Sequence, residues 1–273
     1  KHLKHAGRKG IKRNHLPAFG KLSDFRDGAP RCARRPPLLV PIDDLLDDQA
    51  RRRYVGVVHE FLEQYRASLS TQHQQLLDGY RYVHLARKVV GVGSVGARAM
   101  VVLMIGLDET DPLLLQLKEA KRSVLEPYCG PSIYRKRGQR DVECQRLMQT
   151  ASDPLHGSYR LRALDGKMHD FYVRQLWDGK ASIDITHLTP SALASYAEVC
   201  GMTLARAHAR SGFRVSISAY LGETDEFDHA VADFATAYAD VNEQDHSALL
   251  AAIESERLPA EFEARSPAKK SRT

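Results

Sequence analysis

Apolar and polar positions alternate along this chain with two periods, one helical and one extended. After Ile42 the apolar positions recur every three or four residues, which predicts an amphipathic helix. Asp43 and Asp44 suit its first turn, because negative charge is favourable at a helix N-terminus. A shorter helix is predicted over residues 72–78. The apolar side of the first helix comprises Tyr54, Val58, Phe61, Leu62, Tyr65 and Leu69.

A strand-rich block follows. Residues 81–90, 99–107 and 113–120 are predicted strands, since they are apolar, alternating or rich in β-branched side chains. A helix is predicted over 138–151. Two further strands, 159–164 and 171–176, are joined by the turn "DGK" at 165–167. The order strand, strand, strand, helix, strand, strand indicates an α+β fold.

The two ends differ from this middle block. Prolines and glycines in residues 1–41 predict an irregular, basic N-terminal segment. Residues 181–255 carry apolar stripes at helical spacing and predict a helical region. Residues 256–273 are polar and basic, which predicts a disordered tail. The predicted division is therefore 1–41 irregular, 42–80 helical, 81–180 a mixed lobe, 181–255 helical and 256–273 disordered.

Charge and cysteine usage exclude several classes of function. The 273 residues carry a net charge of +6, partly from the N-terminus, where no aromatic side chains alternate with the basic ones. We therefore expect no nucleic-acid binding. No apolar run reaches the roughly 20 residues that span a bilayer, so no membrane span is expected. The 4 cysteines form no C-x-x-C pair, which predicts no zinc or other metal site and a reduced, cytoplasmic protein.

The clearest candidate for a functional motif is "KVVGVGSVGARAMVV", in which Gly91, Gly93 and Gly96 form G-x-G-x-x-G. Dinucleotide-binding proteins use this spacing where a helix follows a strand, with an acid about 20 residues further on. Glu119 matches that acid, and the chain would then be an oxidoreductase. The segment after the glycines is apolar on all sides and β-branched, which favours a strand over the required helix. A third hypothesis treats the glycines as a tight turn in a non-catalytic interaction module.

The second use of this spacing is the glycine-rich lid of kinases, where two strands cover the nucleotide phosphates. The next strand supplies a lysine, and a following helix supplies a glutamate that holds it. Lys118 lies near the end of the strand "LLLQLKEA", and Glu143 lies on the predicted helix. Glu119 and Glu143 compete for the pairing, and Glu143 has the better position in the order of elements.

The stretches "VVGVGSVGARAMVVLM", "LLLQLKEAKRSVL", "GQRDVECQRLMQTASD" and "YVRQLWDGKAS" resemble an uncharacterised bacterial family, domain of unknown function 2252. The resemblance implies a protein-kinase-like or aminoglycoside-phosphotransferase-like small lobe, an antiparallel sheet plus one helix, followed by a helical region. It implies ATP with Mg²⁺ as the ligand. The implied nucleotide-binding residues are Gly91, Gly93, Ser94, Gly96, Lys118, Glu143 and Gln175, the last in the strand near the base.

The sequence departs from the kinase pattern in its catalytic half. It contains no H-x-D, G-D-x-H or D-F-G stretch, and phosphoryl transfer needs an aspartate for the acceptor and an acid for Mg²⁺. Full-length members of the resembled family carry a "GD-x-H" stretch and a later "NDFD" stretch earlier in the chain. Because the sequence starts at Lys1 rather than Met, we expect a fragment of the C-terminal part. Alone it would bind nucleotide with little or no transferase activity, and the missing N-terminal half would be a partner.

Overall fold

A computed structural model of the chain describes residues 16–26, 28–89, 96–163, 165–176 and 183–260. Two compact units are present, Lys1–Gly212 and Phe213–Thr273. Of the tail predicted to be disordered, 256–273, the structure describes residues 256–260, where the Leu258 N–H donates to the Ala252 carbonyl at 3.1 Å. Residues 261–273 lie outside the described residues.

Helices and strands together give a mixed α+β structure. The strands are β1 (Ser23–Arg26), β2 (Ala29–Cys32), β3 (Leu39–Pro41), β4 (Arg81–Lys88), β5 (Ala99–Ile105), β6 (Pro112–Glu119), β7 (Gly157–Arg162) and β8 (Met168–Gln175). The α-helices are α1 (Leu16–Leu22), α2 (Asp48–Ala67), α3 (Thr71–Asp78), α4 (Glu126–Cys129), α5 (Arg137–Met148), α6 (Pro190–Ser211), α7 (Arg214–Leu221) and α8 (Glu226–Glu254).

Six strands form one sheet in the spatial order β3-β4-β5-β6-β8-β7. Each neighbouring pair is antiparallel. Successive side chains of a strand point to opposite faces, and helices cover both faces here. The face that packs on α2 is called the α2 face, and the opposite one the α5 face.

The α2 face holds the larger core. Phe61 and Tyr65 of α2 pack with Leu117, Phe171 and Val173 of the sheet. Tyr65 is fully buried, and its hydroxyl donates to the Leu155 carbonyl at 2.6 Å. This bond satisfies a polar group that would otherwise be costly to bury.

The predicted start of this helix at Ile42 is wrong by several residues. Residues Ile42–Asp44 form a 3₁₀ turn, and α2 begins after Asp47. The Asp47 carboxylate accepts the Ala50 N–H at 2.7 Å, so it is Asp47 that satisfies the first free N–H groups. Asp43 has a different environment, since its Oδ2 lies 2.8 Å from His84 Nε2.

Helix α5 lies against the opposite face, over β7 and β8. Its approach is close because Gly138 has no side chain. A Cβ built there would lie 2.8 Å from the Phe171 carbonyl carbon, closer still to its oxygen, and 3.2 Å from the Ser158 Cβ. Val142, one turn later, is buried. The glycine thus fixes how near α5 comes to the sheet.

Residues 16–41 are not irregular, which corrects the prediction. They contain α1, the hairpin β1–β2 and strand β3. Gly28 supplies the positive φ (74°) that the hairpin turn needs. Pro30 sits opposite Phe25 in this two-stranded ribbon, where a missing N–H is tolerated as on any edge strand. Leu22, Cys32 and Ala33 then cover part of the α5 face.

Candidate functional site

Lys118 lies on the α5 face near the end of β6. It is directly opposite Ala99 on β5 and Tyr172 on β8. Residues opposite each other share a face, so these three form one row across the sheet. Lys118 is half-buried. The small Ala99 leaves space beside the lysine stem.

Lys88 adds a second ammonium group on the same face. Ala86 is opposite Val101 in the register of β4 and β5, and Lys88 lies two positions further along β4. The period of two therefore places it on the α5 face, next to the row of Lys118. Burial lowers the pKa of Lys88. Sequence reasoning missed this residue, although the alternation of the strand was visible.

Of the predicted glycine motif, Gly91, Gly93 and Ser94 lie outside the described residues. Gly96 has a φ of 72°, a conformation that side chains with a Cβ rarely adopt. The Gly96 carbonyl accepts Lys121 Nζ at 2.6 Å. A basic side chain thus ties the end of the glycine segment to the chain that follows β6.

Arg98, directly before strand β5, belongs to a charged cluster on the α2 face. Its backbone N–H donates to Glu119 at 3.0 Å, and its guanidinium donates to Asp165 at 2.7 Å. His169 lies between the two acids, with ring nitrogens 2.9 Å from Glu119 and 3.0 Å from Asp165. Burial alone would raise the pKa of Glu119, but hydrogen bonds from Arg98 and His169 outweigh it and lower the value.

This cluster bears on the dinucleotide hypothesis. Glu119 is engaged with Arg98 and His169 rather than open to a ribose. Strand β5 starts at Ala99 and pairs antiparallel with β4, where a dinucleotide fold requires a helix and a parallel sheet. The structural requirement of the oxidoreductase hypothesis is therefore not met.

Glu143 and Gln175 do not join the row of Lys118. Glu143 accepts Arg146 Nη1 at 2.9 Å, and among the described residues no ion pair links it to Lys118. It faces a surface pocket shared with Gln64 and Ser68 of α2, at the β7 edge. Gln175 is opposite Leu115 in the register, so it lies on the α2 face.

Other polar groups do share the face of Lys118. Gln116, nearly fully buried, accepts both Nε (3.2 Å) and Nη2 (3.0 Å) of Arg174. Burial raises the pKa of Tyr172; Arg174 opposes this shift and Asp141 of α5 adds to it. Asp141 accepts Arg140 Nη2 at 2.9 Å. Asp141 and Glu143 are two positions apart, about 200° around the helix, and it is Asp141 whose charge acts on Tyr172.

His156 is the second buried polar side chain under α5. It is 2% exposed, and its Nε2 has no hydrogen-bond partner among the described residues. Its ring meets Tyr172 edge-on at 6.2 Å. Burial lowers its pKa, which favours the neutral imidazole.

An open cleft of about 700 Å³ surrounds the ends of the glycine segment. Among the described residues its lining includes Ile42 and Met100 from the α2 side and does not include Lys118. Gly96 and Ala99 line it on one strand, and Lys88 lines it on the other. Arg87 and Arg98 add positive charge to its walls. A cationic cleft with little side-chain bulk suits an anion such as phosphate, whose oxygens lysine and backbone N–H groups bind.

The α5 face beyond Lys88 and Lys118 is already covered by other side chains. Val101, Leu103 and Leu114 are buried under Leu22 and Ala33 of the N-terminal segment. The α5 face of the sheet therefore has an exposed, positively charged end and a covered, apolar end. Within the described ranges no three His, Cys, Asp or Glu side chains group as a metal site. Every helix that the structure describes is too short or too polar to cross a bilayer.

The helices and the antiparallel sheet define an α+β protein. The model of a family described as an uncharacterized protein conserved in bacteria, DUF2252, matches residues 1–252. The match covers most of the chain, so the chain belongs to that family. No curated protein and no solved structure matches it.

Proposed function

We propose that residues 81–176 form a kinase-like lobe that binds the phosphates of a nucleotide. One observation carries the proposal: the order β4-β5-β6-β8-β7, with α5 between β6 and β7 in sequence. In kinases the glycine-rich loop joins the first two strands, the third carries the lysine, and a helix follows it. Here the glycine segment joins β4 to β5, Lys118 is on β6, and α5 packs on the face of Lys118.

The cations support phosphate binding in particular. Lys88 and Lys118 flank Ala99 on one face, and glycines on the connecting segment let backbone N–H groups approach an anion. Lys88 lines the cleft and is partly buried, which lowers its pKa. Phosphate oxygens bound there would stabilise its charged form.

The proposal is confined to the phosphate end. The apolar part of this face is covered by Leu22, Cys32 and Ala33, so the base has no open pocket there. We therefore expect binding to depend on the phosphates more than on the base. Transfer is not proposed for this chain by itself, because its sequence lacks the aspartate stretches of kinases.

We assign the acidic partner on the helix to Asp141 rather than Glu143. Each acid pairs with an arginine of its own helix, Asp141 with Arg140 and Glu143 with Arg146. Asp141 is preferred because its charge raises the pKa of Tyr172, the residue opposite Lys118. A shift of two positions along a helix changes the direction of a side chain by about 200°. The two acids cannot both face the same lysine.

The Lys118→Ala variant tests the site directly. Ligand that binds only the folded chain raises its melting temperature, so ATP–Mg²⁺ should stabilise the wild type. Loss of a charge-assisted contact of about 1.5–3 kcal/mol should raise the Kd for ATP by about 10- to 150-fold. The measurement is thermal unfolding with ATP–Mg²⁺, adenosine and NAD⁺ in parallel.

Lys167→Ala is the matched control, since Lys167 lies in the exposed β7–β8 turn. It should keep the ATP shift, and adenosine should give none. An ATP shift equal in the two variants would contradict the proposal. So would a shift with NAD⁺ that does not depend on Lys118.

The assignment of the acid gives a second test. We expect Asp141→Asn to weaken ATP binding several-fold, because Lys118 loses a carboxylate that positions it. Glu143→Gln, a change of the same kind on the same helix, should leave the Kd within about twofold. Isothermal titration of both variants decides between them. The reverse result would restore Glu143 as the partner.

A further inference from the structure

Helix α8 carries an apolar seam that is largely exposed within its own unit, although the Phe227 ring meets Tyr220 of α7 edge-on at 6.0 Å. The seam consists of Phe227, Val231, Phe234, Tyr238 and Val241. Their exposed fractions are 42%, 49%, 66%, 54% and 46%. Two of the rings, Phe234 and Tyr238, are stacked with centroids 5.7 Å apart. Contiguous exposed apolar patches of this kind mark interaction surfaces.

The spacing of the seam indicates what shape fits it. Its members follow each other at alternating steps of four and three residues, the repeat by which one helix packs along another. The neighbouring Ala230, Ala235 and Ala237 are small, so a facing backbone can approach closely. The occupant predicted by this geometry is a helix.

The charge of α8 indicates what kind of helix would bind to the seam. The net charge of the whole chain is +6, yet α8 contains no lysine or arginine. Asp245 occupies the next seam position after Val241, four residues on. The acidic residues of the helix are Glu226, Asp228, Asp233, Asp240, Glu243, Asp245 and Glu254.

A second copy of α8 is a poor occupant. In a parallel pair Asp245 would meet Asp245, and like charges facing each other in a seam are destabilising. In an antiparallel pair centred on Phe234, each Asp245 would lie beside the acidic start of the other helix, which carries Glu226 and Asp228. Nucleic acid and anionic membrane are excluded by the same negative charge.

We propose that the seam of α8 binds a basic amphipathic helix of a partner protein. Apolar residues of the partner fill the positions from Phe227 to Val241, and a lysine or arginine pairs with Asp245. Aromatic side chains near the centre of an interface contribute most of the binding energy. Phe234 and Tyr238 are therefore the central contacts.

A designed peptide tests the proposal on the full chain. The probe is a helical peptide of about four heptads with a leucine seam, lysine opposite Asp245 and lysines beside the seam. A second peptide replaces each of those lysines with glutamate. Fluorescence anisotropy should show binding of the lysine peptide, weakened by added salt, and at least about tenfold weaker binding of the glutamate peptide.

Three variants locate the binding on α8. Phe234→Ala and Tyr238→Ala should each weaken binding of the lysine peptide by about 30-fold or more, as expected of central aromatic contacts. Both side chains are at least half exposed, so far-UV circular dichroism should be unchanged. Asp245→Lys should reduce binding of the lysine peptide and increase that of the glutamate peptide, whereas Glu243→Lys, away from the seam, should have a smaller effect on both.

Several results would overturn the proposal. These are no binding of the lysine peptide up to about 1 mM, equal binding of both peptides, or binding that does not depend on Phe234 and Tyr238. The oligomeric state of the chain alone, measured by sedimentation, provides a further test. A dimer that Phe234→Ala dissociates would show that a second copy occupies the seam instead.

Discussion

Phe171→Ala should lower the free energy of unfolding by about 3–5 kcal/mol, the usual cost of removing a buried aromatic ring. Phe171 is 1% exposed, and its ring stacks on Tyr159 with centroids 4.9 Å apart. It belongs to the core between the sheet and α2. Its removal would leave a cavity beside Tyr159 that the neighbouring side chains can fill only in part. Urea unfolding followed by circular dichroism measures the loss.

Phe213→Ala deletes the same ring at an exposed position, 72% accessible, and should change stability by no more than about 0.5 kcal/mol. Equal effects of the two substitutions would mean that Phe171 is not in the core. The comparison thus separates burial from the general cost of losing an aromatic side chain.

The second large effect is expected at Gly138. Alanine normally stabilises a helix interior by about 1 kcal/mol relative to glycine. At Gly138 the added Cβ would overlap the Phe171 carbonyl group, so α5 must move away from β8. We expect a net loss of about 1–3 kcal/mol, the range found for overpacked cores. The measurement is again urea unfolding.

Gly56→Ala provides the matched control in α2. A Cβ built at Gly56 meets nothing within 4 Å, so this substitution should stabilise the chain by about 0.5–1 kcal/mol. If Gly138→Ala were also stabilising, α5 would not lie against the sheet as closely as described. Because α5 carries Asp141, the same substitution should also weaken ATP binding.

Local patterns predicted most elements of the lobe. The alternation in "LLLQLKEA" and the β-branched run after the glycines correspond to β6 (Pro112–Glu119) and β5 (Ala99–Ile105). The helix predicted over 138–151 corresponds to α5 (Arg137–Met148). These segments are long and their apolar positions recur periodically, so the local sequence is enough to indicate their conformation.

The N-terminal segment could not be predicted in this way. Prolines and glycines between residues 16 and 41 obscured the hairpin β1–β2. Its position is set by contacts of Leu22 and Cys32 with the α5 face, which are distant in sequence. Only the tertiary structure brings these residues together.

The candidate site was predicted in part. Alternation along β6 correctly placed Lys118 and Gln116 on one face. The neighbouring Lys88 and Asp141 depend on the register between strands and on the rotation of α5, which sequence order leaves undetermined. Glu143 was chosen for its place in the order of elements, and the ion pair with Arg146 shows its direction. The roles of Gly91, Gly93 and Ser94 stay predictions, since they lie outside the described residues.

The most direct test of phosphate binding is a crystal structure of the chain with Mg²⁺ and a non-hydrolysable ATP analogue. We expect phosphate oxygens about 3 Å from Lys118 Nζ, on the α5 face beside Ala99, with Lys88 nearby. Phosphates bound away from Lys118, or no bound nucleotide at saturating concentration, would contradict it.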